Sequence, residues 1–273
     1  MGKFDGILIC TDLDGTLLRN DGTISKENIE AIEYFKREGG YFTFVTGRMP
    51  SFVSHIWEAI RPNAPFGCIN GGGLYDYEAG KYVYTVEMPK TVLPLIQSAD
   101  EAFADLGIQV NTFYKVYFCR ENETMVNFRA VTNLPNLVCP YWEVPEAFAK
   151  IVFGSESPSD VAALEHLLRT HALADGFDFI QSEPTLFEIL PKGVGKGVAI
   201  TQLAKHLGVD PTHTVAIGDY NNDISMFEAA GLGVAVANAS PDARAAADCI
   251  TVSNEEHAIA RVIADLERGV YRL

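Results

Sequence analysis

Ile7-Leu8-Ile9-Cys10 is an unbroken apolar run, and one residue later the chain reads Asp12-Leu13-Asp14-Gly15-Thr16. A strand that is apolar on consecutive residues has no polar face to offer water. It must lie inside a sheet covered on both sides, which points to a parallel sheet with helices above and below. The residues that follow keep the matching rhythm. Ser25 suits the cap of a helix carrying Ile29, Ile32 and Phe35, and Gly39-Gly40 suits its stop. Residues 41–45 read as the next strand. Val53, Ile56, Trp57 and Ile60 fall at i, i+3, i+4, i+7, the stripe of an amphipathic helix. Residues 66–69 read as a third strand, and 74–77 with 81–84 as a hairpin about Glu78-Ala79-Gly80.

From residue 86 to about 190 the rhythm changes. Val92, Leu95, Ile96, Ala99, Phe103 and Leu106 form one long helical stripe. Strand-like segments follow at 108–113, 116–119, 150–153, 177–181 and 186–190. A helix capped by Ser157, with Pro158 at its first position, carries Val161, Leu164 and Leu168. The alternation of strand and helix then returns: helix 194–206, strand 215–217, helix 222–230, strand 233–236, and a last helix with Ile259, Val262, Ile263 and Leu266. The expected fold class is α/β. Residues 1–85 and 191–273 would build a discontinuous, doubly wound, Rossmann-like parallel sheet, and 86–190 a separate inserted α+β module.

Composition narrows the function. Lys and Arg number 21 against 36 Asp and Glu, a net charge of −15, which argues against nucleic acid and acidic membrane surfaces as partners. No apolar run approaches the roughly 20 residues a membrane span needs. The opening MGKFDGILIC is short and acidic early for a signal peptide, and Gly6 stands where a myristoylation site wants Ser or Thr. A cytoplasmic location is expected. The five cysteines are odd in number, widely spaced and without a CxxC, so reduced and mostly buried thiols are expected. His166 and His171 are five apart and share a helical face poorly, so zinc is not expected.

Ligands of open α/β sheets bind at the carboxyl ends of the strands. There the chain offers Asp12 and Asp14, then Thr46-Gly47-Arg48, then Gly218-Asp219 followed by Asn221-Asn222-Asp223, with Lys196 at a helix start. Asp12, Asp14, Asp219 and Asp223 converging on one edge would repel one another. A hard divalent cation with oxygen ligands, Mg²⁺ above all, would relieve that repulsion. The Thr46 hydroxyl, the amides around Gly47 and the Lys196 ammonium would suit an anion beside it. Acid cluster, metal and anion cradle together are the parts of a phosphoryl-transfer site. Two glycine clusters lack the required spacing. Gly193-Val194-Gly195-Lys196-Gly197 has Leu190 and Gly197 where a P-loop needs Gly and Ser or Thr, and Gly71-Gly72-Gly73 reads as a flexible joint.

These segments in this order resemble the haloacid dehalogenase superfamily of phosphatases, and within it the Cof-like branch with a large inserted cap. Residues 9–18, 44–48, 193–197 and 218–226 match its four motifs, and 233–239 with 245–248 echo its tail. The resemblance implies a Mg²⁺-dependent phosphomonoester hydrolase acting on a small phosphorylated metabolite, with sugar phosphates the first substrate class. Asp12 would be the nucleophile that forms an aspartyl-phosphate. Asp14 would protonate the leaving alcohol and then activate water. Thr46, Gly47 and Lys196 would hold the phosphoryl group, and Asn222 would support it or Lys196. Asp12, the Asp14 carbonyl and Asp219 would hold Mg²⁺, with Asp223 as a ligand or just behind one. Arg48, Gly71 and Gly72 would face the substrate, and 86–190 would be the specificity cap. For Asp14 to carry a proton, its side chain would point away from the metal, among like charges. A phosphomutase and a non-catalytic binder of phosphometabolites are the alternatives. The oligomeric state is left open.

Overall fold

The computed structural model describes residues 2–271 and 273. The N-terminal stretch forms β1 (Leu8–Thr11), α1 (Lys26–Arg37), β2 (Tyr41–Phe44), α2 (Ser54–Ile60), β3 (Phe66–Cys68), β4 (Gly73–Asp76) and β5 (Lys81–Thr85). The middle forms α3 (Leu93–Ala102), β6 (Gly107–Thr112), β7 (Val116–Arg120), α4 (Glu123–Thr132), β8 (Phe148–Gly154), α5 (Pro158–Arg169), β9 (Phe177–Glu183) and β10 (Leu186–Pro191). The C-terminal stretch forms α6 (Lys196–Leu207), β11 (Thr214–Gly218), α7 (Ile224–Ala229), β12 (Leu232–Ala235), α8 (Pro241–Ala246), β13 (Cys249–Ile250) and α9 (Ala258–Glu267).

The chain divides into two compact units, Met1–Thr85 with Gly195–Leu273, and Val86–Val194. Residues 191–194, expected with the first unit, cluster with the second. The reason is that β10 runs on to Pro191, which still pairs with Phe177 of β9.

The first unit holds a five-stranded parallel sheet in the order β13-β12-β11-β1-β2. β1 is fully buried and lies between β11 and β2, with Ile9 opposite both Val215 and Phe42. The doubly apolar run therefore occupies the interior of the sheet, where neither face of the strand meets water. The Ser25 hydroxyl accepts from the Asn28 amide and starts α1, which buries Ile32 and Phe35. α1 packs with α9, and the Ala260 amide donates to Asn28 Oδ1 across that contact. α6 packs with α7.

The third strand is placed differently from the expectation. β3 pairs antiparallel with β4, and β4 with β5, in a separate three-stranded sheet. Its link to β2 is a single parallel bridge, Val45 to Gly67. β4 pairs with all three residues of β3, against the one parallel bridge past the end of β2, and backbone groups follow the fuller ladder.

The second unit holds an antiparallel sheet in the order β7-β6-β8-β10-β9. Ile108, Val110, Ile151, Phe153, Phe187 and Ile189 join the core that Leu95, Ile96, Val161 and Leu164 of α3 and α5 complete. Alternate residues of the same strands carry polar groups. Lys150 Nζ donates to both oxygens of Glu188 at 3.0 and 2.9 Å, and both residues are buried. The helix expected to reach Leu106 stops at Ala102, where Phe103 turns extended, and Phe103 and Leu106 pack from the loop. Three elements escaped the apolar pattern. α4 is started by Asn122 accepting from the Met125 amide, α8 by Ser240 accepting from the Ala243 amide, and β13 spans two residues. Of the cysteines, Cys10 and Cys68 are buried and Cys119, Cys139 and Cys249 are half-buried, fewer buried than expected. All five are free thiols. No helix of the described residues is long and apolar enough to cross a membrane.

Candidate active site

Strand order reverses between β1 and β11, so their carboxyl ends open the crevice where such sheets bind ligands. The Asp12 amide donates to the Ile217 carbonyl at 2.8 Å and anchors the first acid to the neighbouring strand. The chain then coils through Leu13–Leu17, with Gly15 at φ +77°. A Cβ at Gly15 would lie 2.5 Å from Asp219 Oδ2, so only glycine lets this turn close on the second acid. Thr16 Oγ1 donates to Asp219 Oδ1 at 3.1 Å.

Past β11, Asp223 folds back on its own turn. Its Oδ2 accepts from the Asp219 and Tyr220 amides at 2.8 and 3.0 Å. Its Oδ1 accepts from Lys196 Nζ at 2.5 Å, while Asp12 Oδ1 accepts from the same ammonium at 2.6 Å. Lys196 is the first residue of α6 and is 2% exposed, so its charge rests on these two carboxylates. Asp12, Asp219 and Asp223 each offer an oxygen within 4.8 Å of the others.

Electrostatics follow from that crowding. Burial, with Asp223 and Asp219 nearby, pushes the Asp12 carboxyl up to about 8 against the pull of Lys196. Burial and then Asp223 push Asp219 up to about 6. Burial alone would lower Lys196, but Asp12 and Asp223 outweigh it and raise it. The carboxylates thus hold more negative charge than one ammonium offsets. Three close carboxylate oxygens with no soft donor among them fit a hard divalent cation.

Thr46 follows β2, and its amide donates to the Gly67 carbonyl at 2.9 Å. Its buried hydroxyl accepts from the Arg48 amide at 3.2 Å. Gly47 is half-buried, and a Cβ there would meet the Asn70 side chain at 2.9 Å.

Several expectations need correction. The Asp14 side chain is 60% exposed and is paired with Arg48, although it still acts as a like charge on Asp219. Nε and Nη2 of Arg48 donate to its two oxygens at 3.0 and 2.6 Å. Asn222 is half-buried, and Lys196 takes Asp12 and Asp223 as its partners instead. Gly71 and Gly72 are buried against the unit's own backbone instead of forming a loose joint. A Cβ at Gly71 would sit 2.1 Å from the Gly195 carbonyl oxygen. Sequence reasoning also passed over Asn238, whose Nδ2 donates to the Gly15 carbonyl at 2.8 Å. Its signal was its place in the Ala237-Asn238-Ala239 segment just after β12.

The model of the haloacid dehalogenase-like hydrolase family matches residues 9–263. The chain is 28% identical to the putative phosphatase YxeH of Bacillus subtilis, covering 95% of this chain and 97% of that one. It is also 28% identical to the 5-amino-6-(5-phospho-D-ribitylamino)uracil phosphatase YwtE of the same organism, covering 96% and 99%. Among solved structures, a haloacid dehalogenase-like hydrolase from B. subtilis is 27% identical, with a TM-score of 0.80 over 94% of this chain and 98% of that one.

Proposed function

The chain belongs to the haloacid dehalogenase-like hydrolase family, and from that premise we propose that it is a Mg²⁺-dependent phosphatase of small phosphorylated metabolites. The observation that carries this reading is the buried Lys196 ammonium bonded at once to Asp12 and Asp223, beside Asp219. Binding an anion needs no nucleophile at its centre, whereas transferring a phosphoryl group to the protein does, and Asp12 would be that nucleophile.

Asp12, Asp219 and Asp223, with the Asp14 carbonyl, would hold Mg²⁺. When bound, the cation neutralises charge on the phosphoryl oxygens and keeps the acids ionised. The chain's own groups account for the rest. A carboxylate oxygen of Asp12 bonds to phosphorus as the ester P–O bond breaks, and Asp14 gives a proton to the departing alcohol. Lys196, the Thr46 hydroxyl and the Gly47 amide hold the phosphoryl oxygens. Water then attacks phosphorus, Asp14 takes its proton, and Asp12 leaves as the carboxylate.

The substrate class is small phosphomonoesters, with sugar phosphates first to test. The phosphorylated ribityl group in YwtE's name keeps polyol phosphates in view. Val86–Val194 would act as the cap that selects the alcohol. The first experiment is phosphate release from a panel of such esters, with Mg²⁺ and with EDTA. Release should need Mg²⁺ and fall by at least about 10³-fold in Asp12→Asn. Equal release by wild type and variant would overturn the assignment of Asp12. Transfer of phosphate between hydroxyls of one sugar, without release, would point to a mutase.

A further inference from the structure

We propose that Arg48 is a positioning residue for Asp14, holding its carboxylate clear of the Asp12–Asp219–Asp223 cluster in the orientation that serves the second half of the reaction. The inference rests on the phosphatase reading above. Three observations carry it. Arg48 grips both Asp14 oxygens, through Nε at 3.0 Å and Nη2 at 2.6 Å, a fork that fixes the plane of the carboxylate as well as its place. The acids close enough to share a cation are Asp12, Asp219 and Asp223, and Asp14 stands outside that group. The Arg48 backbone is tied at both ends. Its amide donates to Thr46 Oγ1 at 3.2 Å, and its carbonyl accepts from the Ile69 amide at 3.1 Å. One residue therefore sets the acid's position against the phosphate-holding threonine.

The pair is open to solvent, with the side chains 32% and 60% exposed. Screened pairs of this kind add little to stability. What the fork supplies is direction. An unrestrained carboxylate beside a divalent cation would be drawn to it as one more oxygen ligand. A carboxylate held by two N–H groups keeps its plane and its place, which water attacking the phosphorylated Asp12 needs in order to pass on its proton. Expulsion of a good leaving group needs little help from an acid, so that half should depend on Arg48 far less.

Pre-steady-state turnover of p-nitrophenyl phosphate with saturating Mg²⁺ separates the halves. Nitrophenolate appears in a first phase as Asp12 is phosphorylated, and the later slope reports hydrolysis. In Arg48→Ala the first phase should stay within about 3-fold of wild type. The slope should fall by about 30-fold or more, and acid-stable phosphoprotein should accumulate. Arg48→Lys should recover only part of the slope, because an ammonium cannot grip two oxygens in a plane. The melting temperature of both variants should match wild type, and Arg48→Lys carries the test if Arg48→Ala does not fold. Equal losses in both phases, no loss in either, or full recovery by lysine would overturn the inference alone. A wild type that releases nothing from any ester would overturn the phosphatase reading, and this inference with it.

Discussion

Asp12 and Asp219 are both carboxyls whose titration the site displaces upward. In the metal-free protein burial and like charges raise Asp12 to about 8 and Asp219 to about 6, against about 3.9 for an aspartate in an unfolded chain. Between those limits the folded state keeps protons that the unfolded state has shed. Metal-free stability from these groups is therefore full below the unfolded value and is lost as pH rises towards 8. Mg²⁺ takes the ionised form, so its affinity should rise over the same window. At one fixed concentration, Mg²⁺ should raise the melting temperature more at pH 8 than at pH 5, and Asp12→Asn should shrink the difference. An equal rise at both pH values would remove Asp12 and Asp219 as the ligands.

At the scale of elements, the start of α6 depends on a close approach. Gly71 has φ +91° and sits where a Cβ would press on the Gly195 carbonyl, one residue before Lys196. Gly71→Ala combines left-handed strain with a backbone clash, and should cost about 3 kcal/mol in urea unfolding. Because the clash lies at the base of Lys196, phosphate release should fall as well. Unfolding within about 0.5 kcal/mol of wild type would show that the segment has the slack first read into it. Elements with a strong apolar period, α1 and α9 among them, were legible in the chain. α4 and α8 were not, because a polar or alanine-rich helix is marked mainly by its cap, here Asn122 or Ser240, which resembles an ordinary turn residue. The pairing of β3 was not legible either, since either partner satisfies a short apolar strand.

For the whole molecule, every group assigned to the cation lies in the unit Met1–Thr85 with Gly195–Leu273. Binding protects the unit that binds. Hydrogen exchange with and without Mg²⁺ should therefore show protection near Asp12 and from Gly218 to Asp223, with Val86–Val194 unchanged. Protection spread evenly over both units would mean that the cation is not confined to these residues.

The identities of Asp12, Asp14, Thr46, Lys196, Asp219 and Asp223, and their places after buried strands or at a helix start, follow from the amino-acid sequence. Apolar runs and turn residues are local, and a parallel sheet delivers its strand ends to one edge. Which group pairs with which was decided by tertiary structure alone. Lys196 reaches Asp12 across 184 residues and Arg48 reaches Asp14 across 34. Such partners are chosen by distance and desolvation in the folded unit, which the order of residues along the chain does not record.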